Sequence, residues 1–408
     1  MKETLWEYRY AQRMQSMKSS AIRELLEITA NPEIISFGGG LPAPDVFPAE
    51  RFREACQKIL TETPASALQY GSTEGYIPLR EMIARHTKRY GIFISASNVL
   101  ITSGSQQALD IIGKVFINPG DRILVESPTY LGALQAWSSY GAEYITIGID
   151  DDGMKIDELE DALRASPKFI YIQPNFHNPA GVTLSLERRY RLVELANQHG
   201  IPIIEDDPYG QLRYEGKHIQ PITAIDGEIR KNNGPYSGNV IYLSTFSKVL
   251  APGVRIGSII GPQEVIHQMV KAKQGMDLHT SSFNQMLVYE VGKEGFIDQH
   301  VQLIRKIYKE RRDIMLESLQ EYMPKDVHWT HPLGGLFLWL TLPKNISTTG
   351  LFYKAIQEKV AFVPGKSFFP NENGDNTMRL NFSNASPENI VKGISRLGNC
   401  IKKEMTKS

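Results

Sequence analysis

Two apolar stretches on either side of a helical pattern decide the fold of this chain. Residues 169–173 read Phe-Ile-Tyr-Ile-Gln, residues 201–205 read Ile-Pro-Ile-Ile-Glu, and apolar side chains recur at helical spacing over 186–199 between them. Strands that are apolar on both faces are typical of a mostly parallel sheet that helices cover on both sides. The segment therefore predicts a strand–helix–strand unit and an α/β fold.

The same alternation continues on both sides of this unit. Further strands are predicted at 98–102, 122–126, 143–149, 240–244 and 256–260, and further helices at 106–117 and 131–140. After residue 262 the pattern is mainly helical to about residue 322, and strand-like stretches at 335–342 and 377–382 precede a helix from Pro387. We predict an N-terminal arm with part of a small domain over residues 1–50, a large domain over 51–290 and a small α+β domain over 291–408.

Composition and charge exclude several classes of protein. Of the 408 residues, 41% are apolar and 22% are charged, which is an ordinary globular composition. Lys plus Arg and Asp plus Glu number 45 each, so the basic excess of a general nucleic-acid binder is absent. The N-terminus has no apolar signal core, and no apolar run has the length of a membrane span. With only two cysteines, no disulfide framework is expected, and we expect a cytoplasmic protein without nucleic-acid or membrane partners.

One pair of histidines has a spacing that metal ligands use. His328 and His331 are separated by two residues, but no third ligand is evident nearby in the sequence. A metal ion needs at least three protein ligands in the common site types. We therefore place this pair in a loop and predict no metal site.

Polar groups follow two of the predicted strands directly. Glu205-Asp206-Asp207-Pro208-Tyr209 ends the strand at 201–205, and Ser244-Thr245-Phe246-Ser247-Lys248 ends the strand at 240–244. In open α/β sheets, ligands bind at the carboxyl ends of the strands. The first stretch is either a solvated acidic loop or a carboxylate aimed at a cationic ligand. The second is either a plain loop or, with Arg255 seven residues beyond Lys248, an anion site.

Three further features each allow two interpretations. Gly104-Ser105-Gln106-Gln107 opens a predicted helix and is either a serine N-cap or a phosphate site made by backbone N–H groups. Asn178-Pro179-Ala180-Gly181 follows a strand and is either a simple turn or a ligand contact through Asn178. Arg379 lies within an apolar strand, either on a sheet edge or buried to bind a carboxylate.

Together these motifs resemble the fold-type I enzymes that use pyridoxal 5′-phosphate (PLP), specifically the class I/II aminotransferases. Within that family the chain is most similar to the 2-aminoadipate and kynurenine aminotransferases, and the resemblance extends from about residue 20 to residue 388. It rests jointly on these stretches: Gly-Gly-Leu-Pro-Ala-Pro (39–44), Leu-Gln-Tyr-Gly (68–71), Gly-Ser-Gln-Gln (104–107), Asn-Pro-Ala-Gly (178–181), Glu-Asp-Asp-Pro-Tyr (205–209), Ser-Lys-x-x-x-Pro-Gly-x-Arg (247–255) and Arg379. The resemblance implies a mostly parallel central sheet with PLP bound in the large domain.

The resemblance assigns the catalytic roles residue by residue. Lys248 would form the internal aldimine with PLP and later move the substrate proton. Asp206 would pair with the pyridine nitrogen, and Tyr130 would stack on the ring. Tyr209 and Asn178 would hydrogen-bond the phenolic oxygen.

The remaining roles concern the phosphate and the substrate. The phosphate would be held by Ser105, Gln106, Thr245, Ser247 and Arg255, and by Tyr70 from the neighbouring subunit of a homodimer. The family usually has Ser where Thr245 stands, a change that keeps the hydroxyl. Arg379 would bind the substrate α-carboxylate, while Arg23, Gly40, Asn178 and Tyr70 would line the substrate side.

The activity that the resemblance implies is transamination between an L-amino acid and 2-oxoglutarate with ping-pong kinetics. The amino donor would be 2-aminoadipate, an aromatic or kynurenine-like amino acid, or a branched-chain amino acid. Two alternatives stay open, which are another PLP reaction (lyase or decarboxylase) on the same fold and a PLP-binding regulatory domain. A regulator of that kind carries an N-terminal DNA-binding domain, and a family match that begins near residue 20 is expected to leave no room for one.

Overall fold

The computed structural model describes residues 5–15, 17, 31–231 and 234–406. The α-helices within these residues are Ala49–Glu62, Pro64–Leu68, Ile77–Lys88, Ser105–Phe116, Leu131–Ser138, Leu159–Leu163, Leu186–His199, Ile222–Ile229, Gln263–Asp277, Ser282–Gly292, Phe296–Tyr322, Thr348–Gln357 and Pro387–Met405. The strands are β1 (Ile35–Ser36), β2 (Val99–Thr102), β3 (Arg122–Ser127), β4 (Glu143–Asp150), β5 (Gly153–Met154), β6 (Ile170–Ile172), β7 (Ile203–Asp206), β8 (Val240–Thr245), β9 (Gly257–Ile260), β10 (His328–Trp329), β11 (Phe337–Thr341), β12 (Val360–Ala361), β13 (Val363–Pro364) and β14 (Thr377–Asn381).

The main sheet has eight strands in the order β2-β9-β8-β7-β6-β3-β4-β5. The strands from β8 through β7, β6 and β3 to β4 pair in parallel, whereas β9 runs antiparallel to both of its neighbours and β5 runs antiparallel to β4. The prediction of a mostly parallel sheet is confirmed. Because parallel neighbours end on the same side, the residues that follow β6, β7 and β8 meet at one edge.

Helices cover both faces of this sheet, which explains why its strands are apolar on both sides. In β6 the side chains of Ile170 and Ile172 pack with helix Leu186–His199, whereas Tyr171 packs on the opposite face with helix Ser105–Phe116. All three side chains are fully buried. Burying an aliphatic side chain of this size stabilises a fold by about 1.5–3 kcal/mol. None of the helices in the described residues is long and apolar enough to cross a membrane.

A second, smaller sheet lies in the C-terminal third of the chain, with antiparallel order β10-β11-β14-β13. A separate parallel pair joins β1, near the N-terminus, to β12. The residues around 35 therefore pack with the C-terminal third, as expected for part of a small domain, while the boundaries near residues 50 and 290 stay a prediction. His328 starts β10 instead of lying in a loop, because it pairs with Thr341 of β11.

The predicted strand at 201–205 is shifted by the structure towards its C-terminus. Gly200 adopts the left-handed conformation that ends helix Leu186–His199, and Pro202 has no N–H to donate. The ladder therefore begins at Ile203 and extends to Asp206. This shift places the Asp206 carboxylate on the last residue of a buried strand and not in a loop.

One buried arginine fixes the loop that follows β6. Arg189 is fully buried and donates to the carbonyls of Leu184, Gln220 and Pro174 and to Oδ1 of Asn175, at distances of 2.7–3.0 Å. Its charge has lost water and is compensated by these four acceptors. Arg189 therefore holds the start of the 174–184 loop, which carries Asn178, against the helix.

We expect Arg189→Met to lower the free energy of unfolding by about 3 kcal/mol, since several buried acceptors lose their donor. The matched control is Arg191→Met on the same helix, whose side chain is exposed and pairs with Glu194 at 3.4 Å. That change should cost less than about 0.5 kcal/mol. Chemical denaturation followed by circular dichroism measures both, and equal effects would contradict the role given to Arg189.

Candidate active site

The polar residues that end β6, β7 and β8 converge at the carboxyl edge of the main sheet. Asp206 is the last residue of β7 and is in register with Leu243 of β8, two residues before Thr245. Gln173 follows directly on β6, whose Ile172 is in register with Glu205. The sequence motifs at the three strand ends are therefore neighbours in space.

Asp206 has one carboxylate oxygen held by the protein and one left without a partner. Its Oδ2 accepts hydrogen bonds from the Tyr171 hydroxyl at 2.7 Å and from Gln173 Nε2 at 2.9 Å. Its Oδ1 is buried and has no partner among the described residues. Burial raises the pKa of Asp206 to about 6. A buried carboxylate oxygen without a donor is costly, so the site is built for a cationic or N–H-bearing ligand.

Tyr171 and Gln173 are functional residues that sequence reasoning missed, because both were interpreted only as parts of an apolar strand. The available signal was their separation by two residues, which places both side chains on one face of a strand. The Gln173 amide is oriented at both ends, because its Oε1 accepts the N–H of Asn178 at 3.1 Å. Gln173 thus connects Asp206 to the loop that carries Asn178.

Asn178, Tyr209 and Arg379 form a second group beside Asp206. Oδ1 of Asn178 accepts from Arg379 Nη1 at 2.8 Å, and the Tyr209 hydroxyl is hydrogen-bonded to Asn178. Tyr209 is buried, with its ring edge-on to Phe337 at 5.8 Å. Residues 178–180 form a turn, as one interpretation of the motif predicted, and Asn178 within it also binds Arg379, while its ligand role stays a prediction.

Arg379 is buried without an acidic partner. Its strand β14 lies between β11 and β13, so the interpretation as an edge-strand arginine is wrong. The guanidinium stacks over Phe337 at 4.3 Å, and its Nη2 donates to the Gly38 carbonyl at 2.8 Å. It forms no ion pair with any described residue, its Nε has no acceptor there, and burial lowers its pKa to about 10. Such a planar cation is ready to bind a carboxylate in bidentate fashion.

Lys248 follows β8 and points to the segment at 38–41. Its Nζ donates to the Gly40 carbonyl at 2.8 Å. Burial lowers the pKa of this amine to about 8, with the positive charges of Arg379 and Arg255 contributing to the same shift. A lysine with such a pKa has a substantial neutral fraction near neutral pH, so it can act as a nucleophile or as a general base.

The glycine segment is fastened to the small sheet and so fixes the partner of Lys248. Asn381 Nδ2 donates to the Gly39 carbonyl at 2.6 Å, and the Ser383 hydroxyl donates to the Leu41 carbonyl at 2.9 Å. Arg379 holds Gly38 in the same way, as described above. Gly40 therefore lies opposite Lys248, where the two sheets meet. The sequence analysis predicted Gly40 on the substrate side of the site.

The start of helix Ser105–Phe116 forms a small cup that suits an anion. Gly104 has a φ of +83°, which L side chains rarely adopt, and the guanidinium of Arg255 lies close to its Cα. The first N–H groups of a helix have no partner within the helix, and the buried Ser105 hydroxyl also has none among the described residues. Backbone N–H groups, a hydroxyl and an arginine together favour a phosphate.

Thr245 and Ser247 lie at the same cup. The Thr245 hydroxyl donates to Ser247 Oγ at 3.0 Å, and Thr245 is in register with Gly257, whose Cβ would lie 3.0 Å from the Ser105 nitrogen. The replacement of the family's usual serine by Thr245 leaves the hydroxyl in place. The structure therefore brings Ser105, Thr245, Ser247 and Arg255 together.

Gln106 and Tyr130 border the cup on the other side. Gln106 Nε2 donates to the Gly132 carbonyl at 2.8 Å, so its side chain fastens helix Leu131–Ser138 to the cup. The Tyr130 ring lies against Gly132, where a Cβ would approach its Cζ to 2.5 Å. Burial raises the pKa of Tyr130 to about 12, and the charges of Asp206, Arg379 and Arg255 all act on it. Tyr130 thus lies between the cup and Asp206.

Two of the predicted site residues are not part of this cluster. Tyr70 is 78% exposed, and its ring meets His279 edge-on at 5.7 Å. An exposed tyrosine is compatible with a role in a neighbouring subunit's site, which stays a prediction. Arg23 lies outside the described residues.

The chemistry of the site follows from its unpaired groups. Among the described residues, the buried Ser105 hydroxyl, Asp206 Oδ1 and Arg379 Nε have no hydrogen-bond partner. A ligand that satisfies all three positions has a phosphate at one end, a protonated nitrogen at the other, and a carboxylate beside it. Lys248 supplies an amine with a lowered pKa to the same cleft.

Comparisons with known proteins agree on one family. The model of the aminotransferase class I and II family matches residues 33–397. The aromatic-amino-acid aminotransferase 1 of Thermococcus litoralis is 47% identical over 409 residues, which cover 98% of this chain and 96% of that protein.

Two solved structures are similar over almost the whole chain. The α-aminoadipate aminotransferase LysN of Thermus thermophilus, complexed with N-(5′-phosphopyridoxyl)-L-leucine, is 41% identical with a TM-score of 0.93, covering 99% of this chain and 100% of that one. The kynurenine aminotransferase of Pyrococcus horikoshii, in complex with PMP, is 46% identical with a TM-score of 0.92, covering 98% of each chain.

We expect reductive methylation of Lys248 by formaldehyde in ligand-free protein to reach half its maximal rate near pH 8, since only the neutral amine reacts and its fraction rises through the pKa. Arg379→Gln should raise this midpoint, because a positive charge that disfavours the protonated amine is lost. Arg379→Lys should keep it nearly unchanged. Peptide mass spectrometry measures the modification, and a wild-type midpoint at the ordinary lysine pKa of about 10.4 would contradict the lowered value.

Proposed function

The chain belongs to the class I and II aminotransferases, and we propose that it transfers the amino group of an L-amino acid to 2-oxoglutarate. It is an enzyme of PLP fold type I, and its cofactor is pyridoxal 5′-phosphate. The observation that carries the proposal is that two groups occur in one cleft. Asp206 has one buried oxygen without a partner among the described residues, and the pKa of Lys248 is lowered to about 8. The first suits a protonated ring nitrogen, and the second suits proton transfer at a substrate carbon.

The residues present fit this cofactor. Asp206 Oδ1 would accept a hydrogen bond from the protonated ring nitrogen. The phosphate would be held by the cup of Ser105, Gln106, Thr245, Ser247 and Arg255. Tyr209 and Asn178 would donate to the phenolic oxygen, and Tyr130 would lie against the ring. When bound, the cofactor serves as an electron sink for the bonds at the substrate Cα. The Asp206 carboxylate keeps the ring nitrogen protonated, because an opposite charge favours the charged form.

Lys248 has two tasks in this proposal. Its amine would hold the cofactor in the resting enzyme, and once free it would accept, in its neutral form, the proton from the substrate Cα. Its lowered pKa serves both tasks, since only the neutral form is a nucleophile or a base. The Gly40 carbonyl, 2.8 Å from Nζ, would hold the released amine near the glycine segment that lines the substrate side.

Arg379 would bind the α-carboxylate of donor and acceptor alike. Its guanidinium is buried, fixed by Asn178 and Gly38, and lacks an anion, so a carboxylate would complete its hydrogen bonding. We propose 2-aminoadipate, aromatic or kynurenine-like, or branched-chain amino acids as donors, supported by the names of the similar aminotransferases. Arg23 would meet the distal carboxylate of 2-oxoglutarate.

Both half-reactions would use one site in turn. The donor would leave as its 2-oxo acid before 2-oxoglutarate enters, so the kinetics would be ping-pong. We also propose a homodimer in which the exposed Tyr70 reaches the phosphate of the neighbouring subunit. The exposure of Tyr70 at the surface of a single chain supports this arrangement.

We expect the purified enzyme to form one 2-oxo acid for each donor amino acid consumed, and only when 2-oxoglutarate is present. Initial rates over a grid of donor and 2-oxoglutarate concentrations should give parallel double-reciprocal lines. Lys248→Ala should lower kcat by at least about 10⁴-fold, because both base and nucleophile are lost. The exposed Lys217→Ala is the control and should leave kcat unchanged.

Other outcomes would identify a different reaction. Release of carbon dioxide, or of a cleaved product without 2-oxoglutarate, would indicate a decarboxylase or lyase. Turnover of the Lys248→Ala protein at the wild-type rate would contradict both roles proposed for Lys248. A panel of amino donors compared by kcat/KM then identifies the preferred substrate.

Mixing two inactive variants tests the shared site. A dimer of one Tyr70→Ala subunit and one Lys248→Ala subunit would contain one intact site if Tyr70 acts across the interface. Random exchange of equal amounts should then restore about a quarter of the wild-type activity, since half of the dimers are hybrids with one good site in two. No recovery, with hybrids verified by mass spectrometry, would place Tyr70 in its own subunit's site.

A further inference from the structure

A cavity of about 310 Å³ lies against the large sheet but is not the active site described above. Its floor is made by β8 and β9, and its walls by helix Ile77–Lys88 and the first turn of helix Phe296–Tyr322. Asp206, Lys248 and Arg379 do not line it, whereas Thr245 of the phosphate cup does. Along β8, Leu243 packs with the cluster on one face, whereas Tyr242 packs with the cluster on the other. Ser244 lies two residues after Tyr242, so both side chains are on the same face of the strand, and Ser244 faces the cavity.

Two serine side chains lie on the cavity floor. Ser244 of β8 and Ser258 of β9 are directly opposite each other in the antiparallel register, and both line the cavity. Ser258 is only 2% exposed. Neither hydroxyl makes a hydrogen bond within residues 31–231 and 234–406. Cross-strand neighbours have Cβ atoms about 5 Å apart, so one ligand group can contact both hydroxyls.

Apolar and aromatic side chains form part of the remaining wall, beside polar ones such as Thr87 and Gln211. Ile83, Tyr242, Val249 and Ile297 line it and are buried. Tyr90 lines it as well, with its ring 4.6 Å from that of His218. Water gains few hydrogen bonds against such a surface, and displacing poorly ordered water by an apolar group is favourable.

The charged groups at the cavity are matched by other charges or by hydrogen bonds. Asp207 accepts from Asn175 Nδ2 at 3.0 Å, from the Gly210 N–H at 2.8 Å and from the Tyr242 hydroxyl at 2.9 Å. At the mouth, Arg89 pairs with Asp298 at 2.5 Å.

The other charges at the mouth follow the same pattern. Lys293 pairs with Glu290 at 2.8 Å, and Arg85 lies 3.8 Å from Glu81. Glu294 is exposed to solvent there. Inside the cavity, the Asp207 carboxylate forms no ion pair with a described residue, but its three hydrogen-bond donors already satisfy it, so the wall favours a neutral ligand.

We propose that this cavity is a second ligand site, which binds a small uncharged aromatic molecule bearing a hydroxyl or N–H group. The ring would lie among Ile83, Tyr90, Val249 and Ile297, and the polar group would bond to the two serine hydroxyls. The volume of the cavity is at the lower end of the range for ligand pockets, which suits a molecule with a single ring or with two fused rings.

A molecule bound in the cavity would contact residues that are adjacent in sequence to active-site residues. Ser244 precedes Thr245, whose hydroxyl bonds to Ser247 in the phosphate cup, and Val249 follows Lys248 directly. The two sites thus share strand β8 and the loop after it, and Thr245 of the phosphate cup also lines the cavity. A ligand in the cavity would not occupy the substrate cleft.

Phenol is a suitable probe, because its hydroxyl can donate to one serine and accept from the other. We expect isothermal titration calorimetry of the PLP-loaded enzyme with phenol to show saturable binding that a saturating amino donor does not displace. The double variant Ser244→Ala/Ser258→Ala should bind phenol about tenfold more weakly, since two hydrogen bonds are lost. Toluene, which has the ring but no hydroxyl, should bind wild type and variant equally.

Controls separate this site from nonspecific binding. Ser318→Ala removes a buried hydroxyl elsewhere, on helix Phe296–Tyr322, and should leave phenol binding unchanged. Because Ser244 and Ser258 have no hydrogen-bond partner among the described residues, their alanine variants leave no group unpaired and should fold and turn over normally. Ser258→Leu should fill the cavity and abolish binding.

Three results would overturn the proposal. They are an absence of saturable phenol binding, phenol binding that Ser258→Leu does not reduce, and displacement of phenol by the amino donor. The first would mean that the cavity holds water only. The other two would place the probe at another surface or in the substrate cleft.

Discussion

The unpaired oxygen of Asp206 is the constraint on which the active site depends. A buried carboxylate is tolerated only where hydrogen bonds or a cation compensate it, and here the protein compensates one oxygen and leaves the other for a ligand. The side chains that hold Asp206 are themselves fixed, because Tyr171 lies in the sheet and Gln173 is bound to the loop at Asn178. Rigid support of this kind lets the carboxylate act on a bound ring without moving.

The charge distribution around this carboxylate contributes to the lowered pKa of Lys248, beside the larger effect of burial. Arg379 and Arg255 act on the same cleft, and neither is paired with an acid among the described residues there. The chain as a whole has equal numbers of acidic and basic residues, yet its active site is locally cationic. Such a cluster suits substrates and a cofactor that carry phosphate and carboxylate groups, and it keeps the amine of Lys248 partly neutral.

Strand β8 serves both the active site and the cavity. At its end, Thr245 hydrogen-bonds to Ser247 in the phosphate cup and also lines the cavity, and Ser244, one residue earlier, lies on the cavity floor. Val249, which follows Lys248 directly, lines the cavity as well. The cavity is therefore connected to the phosphate cup and to the loop of Lys248 through a few adjacent residues.

The sequence by itself determined the order of strands and helices and the positions of Lys248, Asp206 and Ser105, because strand ends and helix starts are set by local residue patterns. It left open whether Arg379 was on an edge, and it missed Gln173 and the cavity. These depend on contacts across long stretches of chain, such as Arg379 to Asn178 over 201 residues and Lys248 to Gly40 over 208. Only tertiary packing brings such residues together, so only the folded chain decides which polar atoms are paired and which are left for a ligand.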